Sequence, residues 1–379
     1  MAETLALGQS QKLSTSPNFT FVAKQKPTPV TNGSKFDELK SKVGEEWPSI
    51  TSAKQQAAER ISKLTELIAA SRPPTNTSVV AFGSLARGEW TSGSDVDWTL
   101  LIDGPSDLRH FDVTKSVEHI LNKNDYAKPG PTGTFGSMSS SHELVHYIGG
   151  LEDSNQNLTR RILLLLESAA LSDKITHQRV TRAILERYII GDPPATTPGQ
   201  FHCPLFLFND IVRFWRTMTV DYVTKKWQRT NKGWALRNIK LRMSRKLLFV
   251  KGMLMCFLCD PAFSAKSESE DSAIVEVELL NLCKRFAETS AIDLLSLALS
   301  KYATVETSRK TICAYERFLA TLDDADKRND LKELPFEQKD EGLFGEMRQI
   351  SRDFREGINE LFFESNESLA KLTKRYGVF

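Results

Sequence analysis

The chain has 379 residues, 40% of them hydrophobic and 26% charged, with a formal net charge of +2. That length supports one large or two ordinary domains with a core that needs no disulfide staples. The near-balanced charge excludes a broadly basic, salt-driven nucleic-acid binder and leaves only a local basic face open to that role.

Residues 1–34 are rich in Ser, Thr, Pro and Gln and offer little to bury, so a disordered or loosely attached segment is expected, with no apolar stretch of a secretory signal. From Phe36 to Ala70 the pattern is helical and charged, interrupted at Trp47-Pro48 and stopped by Pro73-Pro74. Ser78–Ser84 (SVVAFGS) reads as a strand entering a turn, and Asp95–Asp103 (DVDWTLLID) as a second strand. Ser106 is a suitable cap for a helix to about Asn124. A Gly/Pro-rich turn covers Lys128–Ser137, and His142–Ile148 (HELVHYI) reads as a third strand. Helices are predicted over Asn157–Leu171 and Lys174–Ile190, then a linker at Gly191–Gly199. From Pro204 helices dominate, including runs around Asn209–Lys226 and Trp234–Leu258. The predicted fold is an α/β core at 73–195, a short mixed sheet with flanking helices, preceded by helices at 35–72 and followed by an all-helical domain at 196–379.

The five cysteines, Cys203, Cys256, Cys259, Cys283 and Cys313, are odd in number and loosely spaced, which suits a reducing cytosol rather than a disulfide framework. Cys256 and Cys259 form a C-x-x-C inside an apolar run, where buried thiols are expected instead of zinc or redox chemistry. No apolar run reaches the length of a bilayer span, so a cytoplasmic protein is expected.

Chemistry concentrates between Phe82 and Asp103 (FGSLARGEWTSGSDVDWTLLID). Gly83 lacks a Cβ and lets the backbone approach a ligand closely. Ser84 brings a hydroxyl and a backbone N–H to the start of a turn, a suitable cradle for a phosphate, with Arg87 and Ser94 as further phosphate-binding candidates. Asp95 and Asp97 stand two apart on the expected strand, so both carboxylates leave the same face ~6–7 Å apart. Uncompensated, they repel by ~2–3 kcal/mol at an effective dielectric near 20. A divalent cation removes that cost, and hard oxygen donors favour Mg²⁺ or Mn²⁺. Val96, Trp98, Leu100 and Ile102 are expected to face the other way, into a core.

This stretch resembles the DNA polymerase β nucleotidyltransferase superfamily, in which Gly-Ser is followed after about ten residues by Asp-x-Asp on the next strand; here ten residues separate Ser84 from Asp95. The resemblance implies a nucleoside triphosphate substrate and metals at Asp95 and Asp97. It also implies a third carboxylate that completes the metal site and serves as general base. Glu143 is the first candidate and Asp153 the reserve. The segments GTFGSMSSSHELVHYIGG, NLTRRILLLLES, FNDIVRFWRTMTVDY and KGWALRNIKLRMSRKLLF are similar to bacterial relatives of the uridylyltransferase that modifies the PII signalling protein. The chain shows no His-Asp hydrolase or ligand-sensing module of that enzyme, so the substrate does not carry over.

In the helical half, Asn209, Asp210, Arg213 and Arg216 share one helix side, and Arg237, Lys240 and Arg245 recur nearby. Arg213 and Lys240 are the cations expected to reach the triphosphate. The sequence thus predicts transfer of a nucleoside monophosphate to a hydroxyl, with a protein side chain the favoured acceptor, a cyclic or linear signalling oligonucleotide the alternative product, and long nucleic acid disfavoured by the charge. A catalytically inactive nucleotide-binding module is the contrasting class. His142-Glu143-Leu144-Val145-His146 also fits H-E-x-x-H, the zinc-protease pattern, with Glu167 as a third ligand. That chemistry needs a helix, whereas the flanking Ser and Gly residues favour a strand.

Overall fold

The Trp47-Pro48 break divides the N-terminal helical stretch in the computed structural model, which describes residues 34–127, 134–190, 202–228, 230–263, 271–338 and 342–377. Helix α1 (Lys35–Val43) ends on Gly44, and Pro48 opens α2 (Pro48–Ala69), where its missing N–H costs nothing. The segments expected at residues 1–33 and Gly191–Gly199, and most of the Lys128–Ser137 turn, lie outside the described residues.

Strand β1 (Thr77–Phe82) runs into the short helix α3 (Gly83–Arg87) and returns as β2 (Asp97–Ile102), antiparallel to β1 with Phe82 opposite Asp97. Helix α4 (Arg109–Lys123) starts later than Ser106 would set it, with Leu108 at the N-cap and Asp107 Oδ1 accepting the Arg109 N–H at 2.9 Å just ahead of the first turn. Strand β3 (Ser137–Ser140) lies parallel to β2, with Ser137 opposite Thr99.

Two expectations fail here. The third strand is Ser137–Ser140, and His142–Ile148 instead contributes to helix α5 (Ser141–His146). Ser140 Oγ caps that helix by accepting the His142 N–H at 3.3 Å, and Leu144 turns fully inward, so a cap and one buried side chain override the flanking turn residues. Helix α6 (Asn155–Leu166) also stops short of Leu171, because β4 (Ala169–Ala170) pairs antiparallel with Val80 and Ala81 of β1. The sheet order is β3-β2-β1-β4.

The remainder is helical: α7 (Lys174–Ile190), α8 (Leu205–Gln228), α9 (Trp234–Lys240), a π-helical turn (Leu241–Arg245), α10 (Lys246–Phe257), α11 (Ser272–Glu288), α12 (Ala291–Tyr302), α13 (Val305–Asp323), α14 (Ala325–Glu333), α15 (Gly342–Phe363) and α16 (Glu367–Leu372). Side-chain alternation splits the sheet between two cores. Val79, Ala81, Val96, Trp98 and Leu100 pack with Leu64 and Ile68 of α2 and Val113 and Val117 of α4. Val80, Phe82 and Leu101 enter the larger core built by the helical half. The face expected for Val96, Trp98 and Leu100 is the one they occupy. Asp97 alternates with Trp98, so it projects toward the helical half, and that is what positions the site.

Cys256 and Cys259 are buried, with the Cys259 and Cys283 sulfurs 3.6 Å apart. Among the described residues no helix is long and apolar enough to cross a membrane.

Candidate active site

Gly83, directly after β1, has φ at +70°, a left-handed conformation that L side chains rarely adopt. A Cβ at this position would stand 2.9 Å from Asp97 Oδ2, closer than such contacts allow. Glycine is therefore required twice, by the turn and by the approach of Asp97. Asp97 is the first residue of β2, and Asp95 sits just before it in the preceding loop.

The two carboxylates remain electrostatic neighbours. Burial, then Asp95, pushes the Asp97 carboxyl up to about 7, with Arg245 opposing and Glu167 reinforcing the rise. Neither Asp95 nor Asp97 accepts a hydrogen bond or joins an ion pair with another described residue. Paired carboxylates with unspent oxygens are the donor chemistry of a hard divalent cation, so the residues present fit Mg²⁺ or Mn²⁺.

Gly83, Ser84, Arg87, Ser94, Asp95, Asp97 and Lys240 line one narrow cavity of about 50 Å³, together with Arg245 and Arg328. Ser94 is tied into a turn, its Oγ accepting the Thr91 N–H at 3.1 Å. Arg328 of α14 clasps that turn, donating to Thr91 Oγ1 at 3.1 Å and to the Gly93 carbonyl. Lys240 reaches the cavity from the end of α9; burial, then Arg328, lowers it to about 8, against the pull of Asp95. It has no hydrogen-bond or ion-pair partner among the described residues.

Lys240 and Arg245 converge because of the π turn between them. In a regular α-helix, residues five apart point about 140° away from each other. The wider π turn brings residue i+5 back toward residue i. Both side chains also line a larger cleft of about 520 Å³, with Phe135, Phe214 and Tyr222 among its walls.

Arg87, expected at the phosphates, is instead committed to buried ion pairs. Its Nε donates to Glu89 at 2.9 Å and its Nη1 to Glu167. Tyr315 of α13 donates to Glu89 at 2.6 Å, and Arg245 donates to Glu167 at 3.2 Å. Despite full burial, the guanidinium groups of Arg87 and Arg245 hold Glu167 below the usual carboxylate range. A buried, fully paired arrangement of this kind fixes position more than it adds stability. Here it fixes the Gly-Ser turn and Arg245.

The structure does not bring the other predicted residues to the cavity. Glu143 lies on α5, beside Arg160 and outside the cavity lining. Asp153 is locked to Arg161 by two hydrogen bonds of 3.0 Å, and Arg213, the other cation expected at the triphosphate, donates to Asp153 at 2.9 Å. Arg161 also joins Asp210 and Tyr188, so this cluster clamps α6, α7 and α8 together. Strand β3, next to β2, carries no acid. His142 and His146 do meet on one helix face, 4.8 Å between the centres of their tilted rings. Among the described residues, however, no three His, Cys, Asp or Glu side chains are arranged to hold a metal, and Glu167 is consumed by arginines. The zinc-protease alternative therefore finds no third ligand, and the site near Asp97 offers two carboxylates of its own.

Glu89, Tyr315 and Arg328 were not foreseen. The Arg87-Gly88-Glu89 spacing carries a local hint of an ion pair; nothing near Tyr315 or Arg328 in the sequence points to the site.

A small mixed sheet with flanking helices, a Gly-Ser turn facing Asp-x-Asp, and a helical remainder define the architecture of a nucleotidyltransferase core with a helical domain. Residues 61–129 match the family model described as a nucleotidyltransferase domain, a stretch from within α2 through the Gly-Ser turn and β2 to beyond α4. No curated protein matches the chain, and the family match goes no further toward the uridylyltransferase relatives.

Proposed function

We propose that this protein transfers a nucleoside monophosphate from a nucleoside triphosphate to a hydroxyl acceptor and releases pyrophosphate. The observation that carries the reading is the meeting, in one cavity, of two unpaired carboxylates with Lys240, Arg245 and Arg328. Asp95 and Asp97 would hold Mg²⁺ or Mn²⁺, which supplies charge neutralisation at the triphosphate and acidifies the acceptor hydroxyl. Ser84 Oγ and Lys240 offer free donors to phosphate oxygens, and Arg245, braced on Glu167, adds a fixed positive charge. The adjoining cleft has the size and the aromatic walls to take the nucleoside. In the reaction the acceptor oxygen gives its proton to solvent water and bonds to the α-phosphorus. The bond from that phosphorus to the bridging oxygen breaks, and pyrophosphate leaves with its added charge facing Lys240 and Arg245.

The test is incubation of the purified protein with each α-labelled triphosphate and Mg²⁺ or Mn²⁺, scoring pyrophosphate release and labelled product. Metal-dependent turnover that disappears in Asp95→Ala and Asp97→Ala, both still folded by circular dichroism, supports the reading. Nucleotide binding without turnover for any triphosphate would favour the inactive module, and turnover that survives both substitutions would refute the site.

A further inference from the structure

Helix α15 carries Arg348, Arg352 and Arg355 at i, i+4 and i+7, and so on one face. The π turn and the start of α10 carry Arg242 and Lys246, four residues apart, and the π turn packs against α15. Five cations thus meet across three elements. Arg242, Lys246, Arg352 and Arg355 pair with no carboxylate among the described residues. The acids of α15 lie on its other edge, where Glu360 pairs with Lys310 of α13, and Glu356 and Asp353 act on the same lysine. Burial lowers Arg242, and Arg348, Arg355 and Arg352 press in the same direction. Burial, with Arg355 and Arg242, holds Lys246 at about 8. Tyr222 offsets part of this repulsion at Arg242.

The patch is wired to the candidate active site. Arg242 Nε donates to Asn238 Oδ1 at 2.6 Å, and Asn238 Nδ2 donates to Tyr222 Oη at 3.0 Å. Tyr222 lines the cleft that shares Lys240 and Arg245 with the catalytic cavity. Four of the five cations are arginines, whose planar forks suit phosphate better than a point charge does.

We infer that this face docks the phosphate backbone of a short single-stranded polynucleotide whose terminal 3′-hydroxyl reaches the candidate active site as the acceptor. The inference rests on the nucleotidyl-transfer reading and gives its acceptor a chemical class. It departs from the protein acceptor that the sequence resemblance favours. It accords with the near-neutral net charge, because the basic surface is a patch sized for a short strand rather than a stripe along a duplex.

The test separates docking from chemistry. Labelled oligoribonucleotide and oligodeoxyribonucleotide single strands are titrated by anisotropy, at several salt concentrations, into the wild type, Arg352→Gln/Arg355→Gln and Asp95→Asn/Asp97→Asn. The wild type and the aspartate variant should bind alike. The arginine variant should bind at least ten-fold more weakly, with a salt slope lower by about 1.4, or about 0.7 for each lost phosphate contact on a single strand. Both arginines are exposed, and unchanged binding of a fluorescent triphosphate analogue confirms that the arginine variant keeps an intact nucleotide site. Extension of the bound strand by the wild type alone completes the case, and the preferred strand, ribo or deoxyribo, identifies the sugar. Equal binding by wild type and arginine variant overturns the docking face. Tighter capture of a polyglutamate peptide than of either strand overturns the polynucleotide in favour of an acidic protein acceptor. Docking with no extension of any strand, while triphosphate turnover persists on another acceptor, overturns the acceptor assignment and leaves nucleotidyl transfer standing.

Discussion

Asp97→Asn removes a charge while keeping the shape of the side chain, and it should make the metal-free protein more stable and inactive. In the folded chain Asp97 titrates at about 7, against 3.8 for an unperturbed aspartate, because it is buried beside Asp95. Between those values the folded state keeps a proton that the unfolded state has released. Stability therefore falls as pH rises through the window, and the full cost is present above the folded pKa. The whole shift corresponds to about 4 kcal/mol. Cavity water and the partial exposure of Asp97 reduce this, so a gain of about 2 kcal/mol is expected for the variant at about pH 8 in EDTA, shrinking toward zero at about pH 4. Urea unfolding at a series of pH values measures it, and taking the difference between variant and wild type cancels the groups common to both. Added Mg²⁺ should stabilise the wild type and leave the variant unmoved. A difference that stays flat with pH, or a variant less stable than wild type at the alkaline end, would refute the idea that this carboxylate pair stores repulsion for a cation to relieve.

Gly83→Ala should cost about 1–2 kcal/mol from left-handed backbone strain alone, and it should also displace Asp97, because the new methyl group would meet Oδ2; thermal melts and metal-dependent turnover should both fall. Glu167→Gln removes the charge that pairs Arg87 and Arg245, and breaking such a buried set is expected to cost about 3–5 kcal/mol, read by urea unfolding, with triphosphate affinity reduced as Arg245 loses its brace. Burial, with Lys174 nearby, lowers His177 from 6.5 to about 4. The folded chain therefore keeps it neutral where the unfolded chain protonates it, and stability should be lost as pH falls from 6.5 toward 4. Replacing His177 by Gln should flatten that acid limb, while an unchanged limb would place the loss elsewhere.

The sequence by itself determined the frame of the candidate site. Gly83-Ser84 and Asp97 could be brought together because a glycine after a strand, a period of two along DWTLLI and a ten-residue spacing are local properties of the chain, whereas the expected strand began two residues too early and Asp95 lies in the loop before it. The inward face of Val96, Trp98 and Leu100 follows from the same alternation. Helices such as Lys174–Ile190 were legible for the same reason. What the third strand is, and which charges meet, was decided only by tertiary structure. Ser137–Ser140 is a strand because β2 supplies its partner, and HELVHYI coils because Ser140 caps it and Leu144 finds a core. Arg87 is drawn into a buried ion pair because Glu167, 80 residues later, lies within reach. Arg328 closes on Thr91 across 237 residues, and Tyr315 on Glu89 across 226. Local spacing fixes which side of a strand or helix a residue occupies. The pairing of charges across hundreds of residues depends on how the helical half packs on the sheet, and no short-range pattern encodes that.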